Sequence, residues 1–155
     1  MNSVPATQRW MHAYTYSGHP TCCAVALRNL DIMERERLWE NAARMGTRLY
    51  EGLQSTFGQH PHVGDIRGGK GLLAGLELVE DRPTKKSFPA DRKVGPRLQT
   101  EMMKRGVVTR VRPVAGPHPA PGDSVYYAPP LVVTAAEVDR IVEVTRDALK
   151  AVLGG

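Results

Sequence analysis

The chain has 155 residues, 41% of them hydrophobic and 24% charged, the proportions of an ordinary globular domain or of a piece of a larger one. That composition excludes disorder over most of the length, and no apolar run approaches the roughly 18 residues a membrane-spanning helix needs. The net charge of +5 comes from basic residues spread along the chain and interleaved with acids, as in Glu34-Arg35-Glu36-Arg37. The densest basic cluster, Arg82 with Lys85 and Lys86, carries no aromatic for base stacking, which argues for a solvated surface and against a nucleic-acid partner.

The opening residues, Met1 to Tyr14, contain no apolar run that could act as a signal peptide. Residues 1–18 show no hydrophobic period and carry Pro5, Trp10, Tyr14, Tyr16 and Gly18, which reads as extended chain or loop whose aromatics need a surface to pack on. A helix is expected to start near Pro20, because proline is tolerated in a first turn. Cys23, Ala26, Leu27, Leu30 and Met33 then share one face. Cys22 and Cys23 are adjacent, a placement that rarely meets disulfide geometry. Both are expected as free thiols in a reducing compartment, the cytoplasm.

A second helical pattern places Leu38, Ala42, Met45, Leu49 and Leu53 at steps of three and four and fades at Phe57-Gly58. From Val63 to Val79 the period changes. Val63 and Ile66 precede Arg67-Gly68-Gly69-Lys70-Gly71, and Leu72, Ala74, Leu76 and Leu78 then occupy one face at period two, with Glu77 on the other. This predicts two strands joined at the glycines. Asp81 to Asp91 is polar, with Pro83 and Pro89, and reads as a surface loop. Val94, Leu98 and Met102 mark a third helix that Gly106 ends. Strands are expected over Gly106 to Val111 and Val125 to Tyr127, separated by a proline-rich loop over 112–122. Pro129-Pro130 makes a turn, and Thr134-Ala135-Ala136-Glu137 is a capping-box pattern that opens a last helix with Val138, Ile141, Val142, Thr145, Leu149 and Val152 inward. The whole reads as an α/β arrangement, a small mixed or antiparallel sheet with helices packed against it.

Most candidate chemistry in the sequence is weak. His60, His62 and His118 have no cysteine or carboxylate at metal-ligand spacing. Ser17 does not sit in a nucleophile elbow. The Gly68–Gly71 stretch lacks the Ser or Thr of a phosphate-binding P-loop and is explained by a turn, and Lys70 within it has no apolar pocket to lower its pKa. Two segments carry more. Thr15-Tyr16-Ser17-Gly18-His19-Pro20 places hydroxyls before a helix N-terminus, where anions are favoured and where the same residues also serve as caps and turns. Gly106-Val107-Val108-Thr109-Arg110 ends a short apolar run on an arginine beside Tyr126 and Tyr127, able to bind a carboxylate, to form an ion pair or to stay solvated.

In these two segments the chain resembles a known family. Tyr14-Thr15-Tyr16-Ser17-Gly18-His19-Pro20, followed by Cys22 through Glu34, resembles the "TYSGHP…A…A…L…I…E" block of class III aminotransferases of fold type I. Asp65-Ile66-Arg67-Gly68 with Gly71 to Val79 is similar to "VRGxGLMxGIELV", Gly106 to Arg110 to "GLIxR", and Ala128 to Thr134 with Glu137, Val138 and Asp139 to "PPLxxTxxEID". The four blocks occur in order and cover about residues 12–153.

The resemblance implies the C-terminal part of a pyridoxal 5'-phosphate-dependent transaminase that moves an amino group from an ω-amino acid or amine to a keto acid such as pyruvate. It implies a homodimer, in which Thr15, with Tyr14 beside it, reaches the phosphate of the partner subunit's cofactor. It implies Arg110 as the contact for a substrate carboxylate, with Arg112 as an alternative because the proline-rich loop intervenes. It implies residues 1–20 as an interface segment left from the large domain and residues 21–155 as the small C-terminal domain. The family's cofactor-bearing lysine, its pyridine-pairing aspartate and its phosphate loop precede "TYSGHP", so a large domain is expected to be absent and no residue here is expected to be catalytic or to bind metal. The alternative is a non-catalytic assembly module that completes the site of a separately encoded cofactor-binding domain.

Overall fold

A computed structural model of the chain describes residues 5–8, 13–112 and 123–154, and these divide into two compact units, Met1–Glu36 and Arg37–Gly155. The proline-rich loop expected over 112–122 lies, beyond Arg112, outside the described residues, as do Trp10 and His118.

In the first unit, helix α1 (Pro20–Arg35) starts on the proline expected to open it. The proline's missing N–H costs nothing at the first helical position, and its fixed φ suits the turn. None of the helix's residues is buried, and Val25, Leu27 and Leu30 are all more than half exposed.

The second unit holds helix α2 (Leu38–Phe57), strands β1 (Val63–Arg67) and β2 (Ala74–Leu78), helix α3 (Val94–Lys104), strands β3 (Arg110–Arg112) and β4 (Asp123–Tyr127), and helix α4 (Ala135–Leu153). The strands form one sheet in the order β1-β2-β4-β3, every neighbouring pair antiparallel. Helices α2, α3 and α4 pack on one face. Ile66, Leu76, Val125 and Val111 lie opposite one another across the four strands and point into the core with Leu49, Leu53, Leu98, Met102 and Leu149. Alternation along each strand sends the next residues to the other face. That face carries two rows: Arg67, Gly75, Tyr126 and Arg110, then Asp65, Glu77, Ser124 and Arg112.

Local chemistry explains the element ends. Thr134 accepts from Glu137 N–H at 3.3 Å while the Glu137 side chain accepts from Thr134 N–H at 2.8 Å, the reciprocal capping box expected at the start of α4. The third strand is shorter than the sequence predicts. The turn that ends α3 runs on to Val107, whose N–H donates to Met102 O. Val108 is 86% exposed, so the ladder begins only at Arg110. The loop after β2 is largely exposed, as expected, but its Phe88 is buried in the core and anchors it.

The glycine-rich connection between β1 and β2 is a turn in contact with α2. Gly69 and Gly71 adopt φ of 87° and 74°, which side chains disfavour. A Cβ on Gly46 of α2 would stand 2.0 Å from Gly71 O, so the helix approaches the turn at a distance only glycine permits.

Two outcomes follow for stability. Gly46→Ala forces helix and turn apart, and its urea midpoint should fall by the equivalent of about 2–3 kcal/mol, the upper range for overpacking. His60 is held below the usual imidazole value, first by burial and then by the charges of His62 and Arg82, and its Nδ1 accepts from His62 N–H at 3.1 Å. The unfolded chain therefore binds this proton more readily, so the stability the group contributes is complete above about pH 6.5 and is lost as pH falls through the lowered value. Urea unfolding between pH 8 and 5 should show this loss, and His60→Gln should remove it.

Candidate functional site

The first of the two segments singled out by sequence is a tight turn before α1. Tyr14 N–H donates to Ser17 Oγ at 2.8 Å, Ser17 N–H to Tyr14 O at 2.9 Å, and His19 N–H to Tyr16 O at 3.1 Å. Gly18, with φ of 72°, turns the chain into the helix. Ser17 does the work of the turn. Thr15 is exposed, and its hydroxyl has no hydrogen-bond partner among the described residues. His19 is the residue before the helix; its side chain makes no cap bond, and its ring lies 6.0 Å from that of Tyr16. Tyr14 and Tyr16 are both exposed.

The second segment lies in the other unit. Arg110 opens the edge strand β3, opposite Tyr126 on the face away from the helices. Its backbone is fixed from both sides: Thr109 Oγ1 donates to Tyr126 O at 2.5 Å, and Gln99 Nε2 donates to Thr109 O at 3.0 Å. Next in the strand, Val111 is buried against Val125. Arg110 borders an open groove of about 690 Å³ whose apolar walls include Val107, Tyr127, Pro129, Val133 and Ile141. Asn41 on α2 holds the far wall, its Nδ2 donating to Leu131 O at 2.8 Å and Val133 O at 3.0 Å. Among the described residues neither Arg110 nor Arg112 has an ion pair, and Arg112 does not line the groove. With no ion pair among the described residues, Arg110 is an exposed guanidinium fork at the end of an apolar hollow, open to solvent or to a carboxylate.

The floor of the groove is firm. Tyr127 is buried, its hydroxyl 3.2 Å from Thr145 Oγ1, which also donates to Ile141 O at 2.8 Å. Burial drives the Tyr127 phenol well above its usual value, so it stays neutral.

A covalently held carbonyl cofactor needs a lysine of lowered pKa. All six lysines (70, 85, 86, 93, 104 and 150) are exposed. Lys85 donates to Gly64 O, Lys86 pairs with Glu80 at 2.6 Å and Lys104 with Glu101 at 2.8 Å. Lys86 is held above the ordinary ammonium value by its hydrogen bond to Glu80. None has the apolar surroundings that would free its nitrogen as a nucleophile. The residues present therefore fit contacts to a phosphate and a carboxylate and do not fit the covalent role. No group of three His, Cys, Asp or Glu among the described residues could hold a metal ion. No helix among them is long and apolar enough to cross a membrane.

Sequence reading placed Tyr126 beside Arg110 but missed Arg67 and Glu77, which share the outer face with them. Arg67, Glu77 and Tyr126 occupy alternate strand positions, which is the available signal, but which strand pairs with which is not written in a single sequence.

Comparison with known proteins bears on both segments. The model of the family "Aminotransferase class-III" matches residues 1–149. The diaminobutyrate–2-oxoglutarate transaminase of Halomonas elongata is 40% identical over 141 residues, 91% of this chain and 28% of its own length. The probable gamma-aminobutyrate transaminase 3 of Oryza sativa subsp. indica is 39% identical over 140 residues, 90% of this chain and 25% of its own. The structure of an (S)-enantioselective omega-transaminase from Thermomicrobium roseum superposes with a TM-score of 0.79 at 44% identity, covering 96% of this chain and 31% of that one. The chain thus spans between a quarter and a third of the length of these relatives.

A residue held for binding and not for stability has a distinct mutational signature. Arg110→Gln should leave the urea midpoint within about 0.5 kcal/mol of the parent, as for surface substitutions generally. Tyr127→Phe, which removes a buried hydrogen bond under the same groove, should cost about 1 kcal/mol.

Proposed function

The chain belongs to the class III aminotransferases, and from that we propose that it forms the small-domain part of an enzyme that transfers an amino group from an ω-amino acid or amine to a keto acid such as pyruvate. The observation that carries this reading is the match to the family's model over residues 1–149 together with Arg110, without an ion pair among the described residues, at the mouth of an apolar groove. The names of the Halomonas and rice relatives specify diaminobutyrate and gamma-aminobutyrate, which supports an ω-amino donor. The architecture, helices on one face of a four-stranded antiparallel sheet, is that of the C-terminal domain of fold type I enzymes.

In this reading the groove takes the substrate's carbon chain and Arg110 its carboxylate, through two parallel N–H···O bonds. Thr15 donates its hydroxyl to the phosphate of pyridoxal 5'-phosphate in a partner subunit of a homodimer, with Tyr14 flanking it. The unused hydroxyl of Thr15 and the helix N-terminus behind it support that assignment. The cofactor, when bound, supplies the electron sink that releases and stores the amino group. The lysine that carries it belongs to a part of the enzyme outside these 155 residues, because none of the six here suits the task. A second reading, an assembly module that completes a separately encoded domain, draws on the same residues; the exposed apolar side chains of α1 favour it. The exposed, unpaired Cys22 and Cys23 support a reducing compartment, the cytoplasm.

The chain alone, incubated with pyridoxal phosphate and freed of unbound cofactor, should retain no visible absorbance band, and with added amine and pyruvate it should form no alanine beyond a protein-free control. A stable band that disappears on replacing one of its lysines overturns this reading. In the assembled enzyme, Arg110→Gln should raise KM for a keto acid about a hundredfold, as expected for loss of a bidentate contact, and leave KM for an uncharged aldehyde unchanged.

A further inference from the structure

Beside the Arg110 groove the outer sheet face holds a second hollow, of about 310 Å³, bordered by Asp65, Arg67, Gly75, Glu77 and Tyr126 with Leu73 at its rim. The register brings these residues together. Arg67 lies opposite Gly75, which lies opposite Tyr126; Asp65 lies opposite Glu77. Arg67 and Glu77 are thus diagonal neighbours, about 7–8 Å apart at the backbone and within reach of long side chains. Gly75 leaves the floor bare: a Cβ there would meet only Val125 O, at 3.8 Å.

The polar groups around this hollow are half used. Arg67 Nε donates to Asp65 Oδ2 at 2.6 Å, leaving the terminal Nη edge without a partner among the described residues. The Glu77 carboxylate makes no hydrogen bond or ion pair among them, although its charge reaches Arg67. Lys85 stands at the edge, donating to Gly64 O and acting on Asp65. The two cations and two anions cancel, so an ion of either sign gains little from the site as a whole. A small molecule that carries both signs a few bonds apart satisfies both unused groups.

We propose that this hollow binds a small amino acid as its zwitterion, the carboxylate on the Nη edge of Arg67 and the Tyr126 hydroxyl, the ammonium on Glu77. Its volume sits at the lower end of ligand pockets, about 300 Å³, which limits the ligand to a few heavy atoms beyond the charged groups. The inference rests on the sheet face alone and not on the role given to Arg110.

The test is a titration of the ¹⁵N-labelled chain with glycine, followed by the amide signals of Gly75 and Glu77 and the Nε–H of Arg67, with acetate and methylammonium at matched ionic strength as controls. Glycine should shift these signals saturably with a dissociation constant on the order of 1 mM, the strength of a small exposed site. Either control should bind at least about tenfold more weakly, each making one of the two charge-assisted contacts. Arg67→Gln and Glu77→Gln should each weaken glycine by about tenfold on the same ground. Gly75→Val, which fills the hollow, should abolish binding, with Gly75→Ala as the milder variant and the unshifted signals of Leu78 and Asp123 as evidence of an intact sheet. Arg110→Gln should leave the titration unchanged, which separates this site from the transaminase reading. No saturable shift with glycine, acetate shifting the same signals as strongly, or full binding in Glu77→Gln would overturn the proposal.

Discussion

The pairing of β2 with β4 decides which side chains meet the helices and which face away from them. Leu76 stands opposite Val125 and Leu78 opposite Asp123, with Glu77 opposite Ser124 between them. A slip of one residue in β2 would turn Leu76 and Leu78 outward and Glu77 into the core. Each lost aliphatic burial costs about 1.5–3 kcal/mol. A carboxylate in the core without a partner costs more than either and would be expelled or protonated. The register is therefore locked by the inner face. The order of residues on the outer face, Arg67 with Gly75, Tyr126 and Arg110, follows from it without further stabilising contacts.

Close approaches permitted by glycine hold that sheet in place. A Cβ on Gly95 of α3 would stand 2.6 Å from Asp123 Oδ1 and 2.8 Å from Val111 Cγ1. Helix α3 therefore sits directly on β3 and β4, and Gln99 of the same helix reaches the Thr109 carbonyl just before Arg110. On the other side, Gly46 lets α2 touch the β1–β2 turn, and Asn41 of α2 ties down the groove wall at Leu131 and Val133. The arginine is thus positioned by residues that never touch it. The bidentate Arg48–Asp139 pair between α2 and α4, at 2.7 Å for both bonds, is exposed to solvent screening and contributes little beside these contacts.

Much of this was legible in the sequence, because periodicity reports burial. The stripe Ala42, Leu49, Leu53 and the alternation Leu76, Leu78 mark the faces that are buried in the structure. Thr134 and Glu137 announced a cap whose hydrogen bonds are local, and local bonds need no knowledge of the fold. What stayed hidden is non-local. The strand expected from Gly106 shrinks to Arg110–Arg112, because β propensity in Val107 and Val108 gives way to a helix-ending turn. The burial of Phe88 inside a polar loop depends on a surface offered by distant segments. Arg110 could be picked out by its motif, whereas the grouping of Arg67, Glu77 and Tyr126 appears only when strand order is known.

The two kinds of cation in the chain divide along chemical lines. An arginine keeps its charge under all ordinary conditions and offers a planar fork, so it recognises anions without reacting. A lysine becomes a nucleophile only when its surroundings strip the proton, through burial or a neighbouring positive charge. Here the lysines are exposed, and those with partners have carboxylates or a carbonyl in place of an apolar pocket; Lys86 is held above the ordinary ammonium value by Glu80. On the proposed reading Arg110 and the Thr15 hydroxyl, neither with a partner among the described residues, hold a carboxylate and a phosphate. On the proposed reading the chain therefore brings recognition to the reaction. The reactive amine has to come from polypeptide beyond these residues, which accords with relatives three to four times as long.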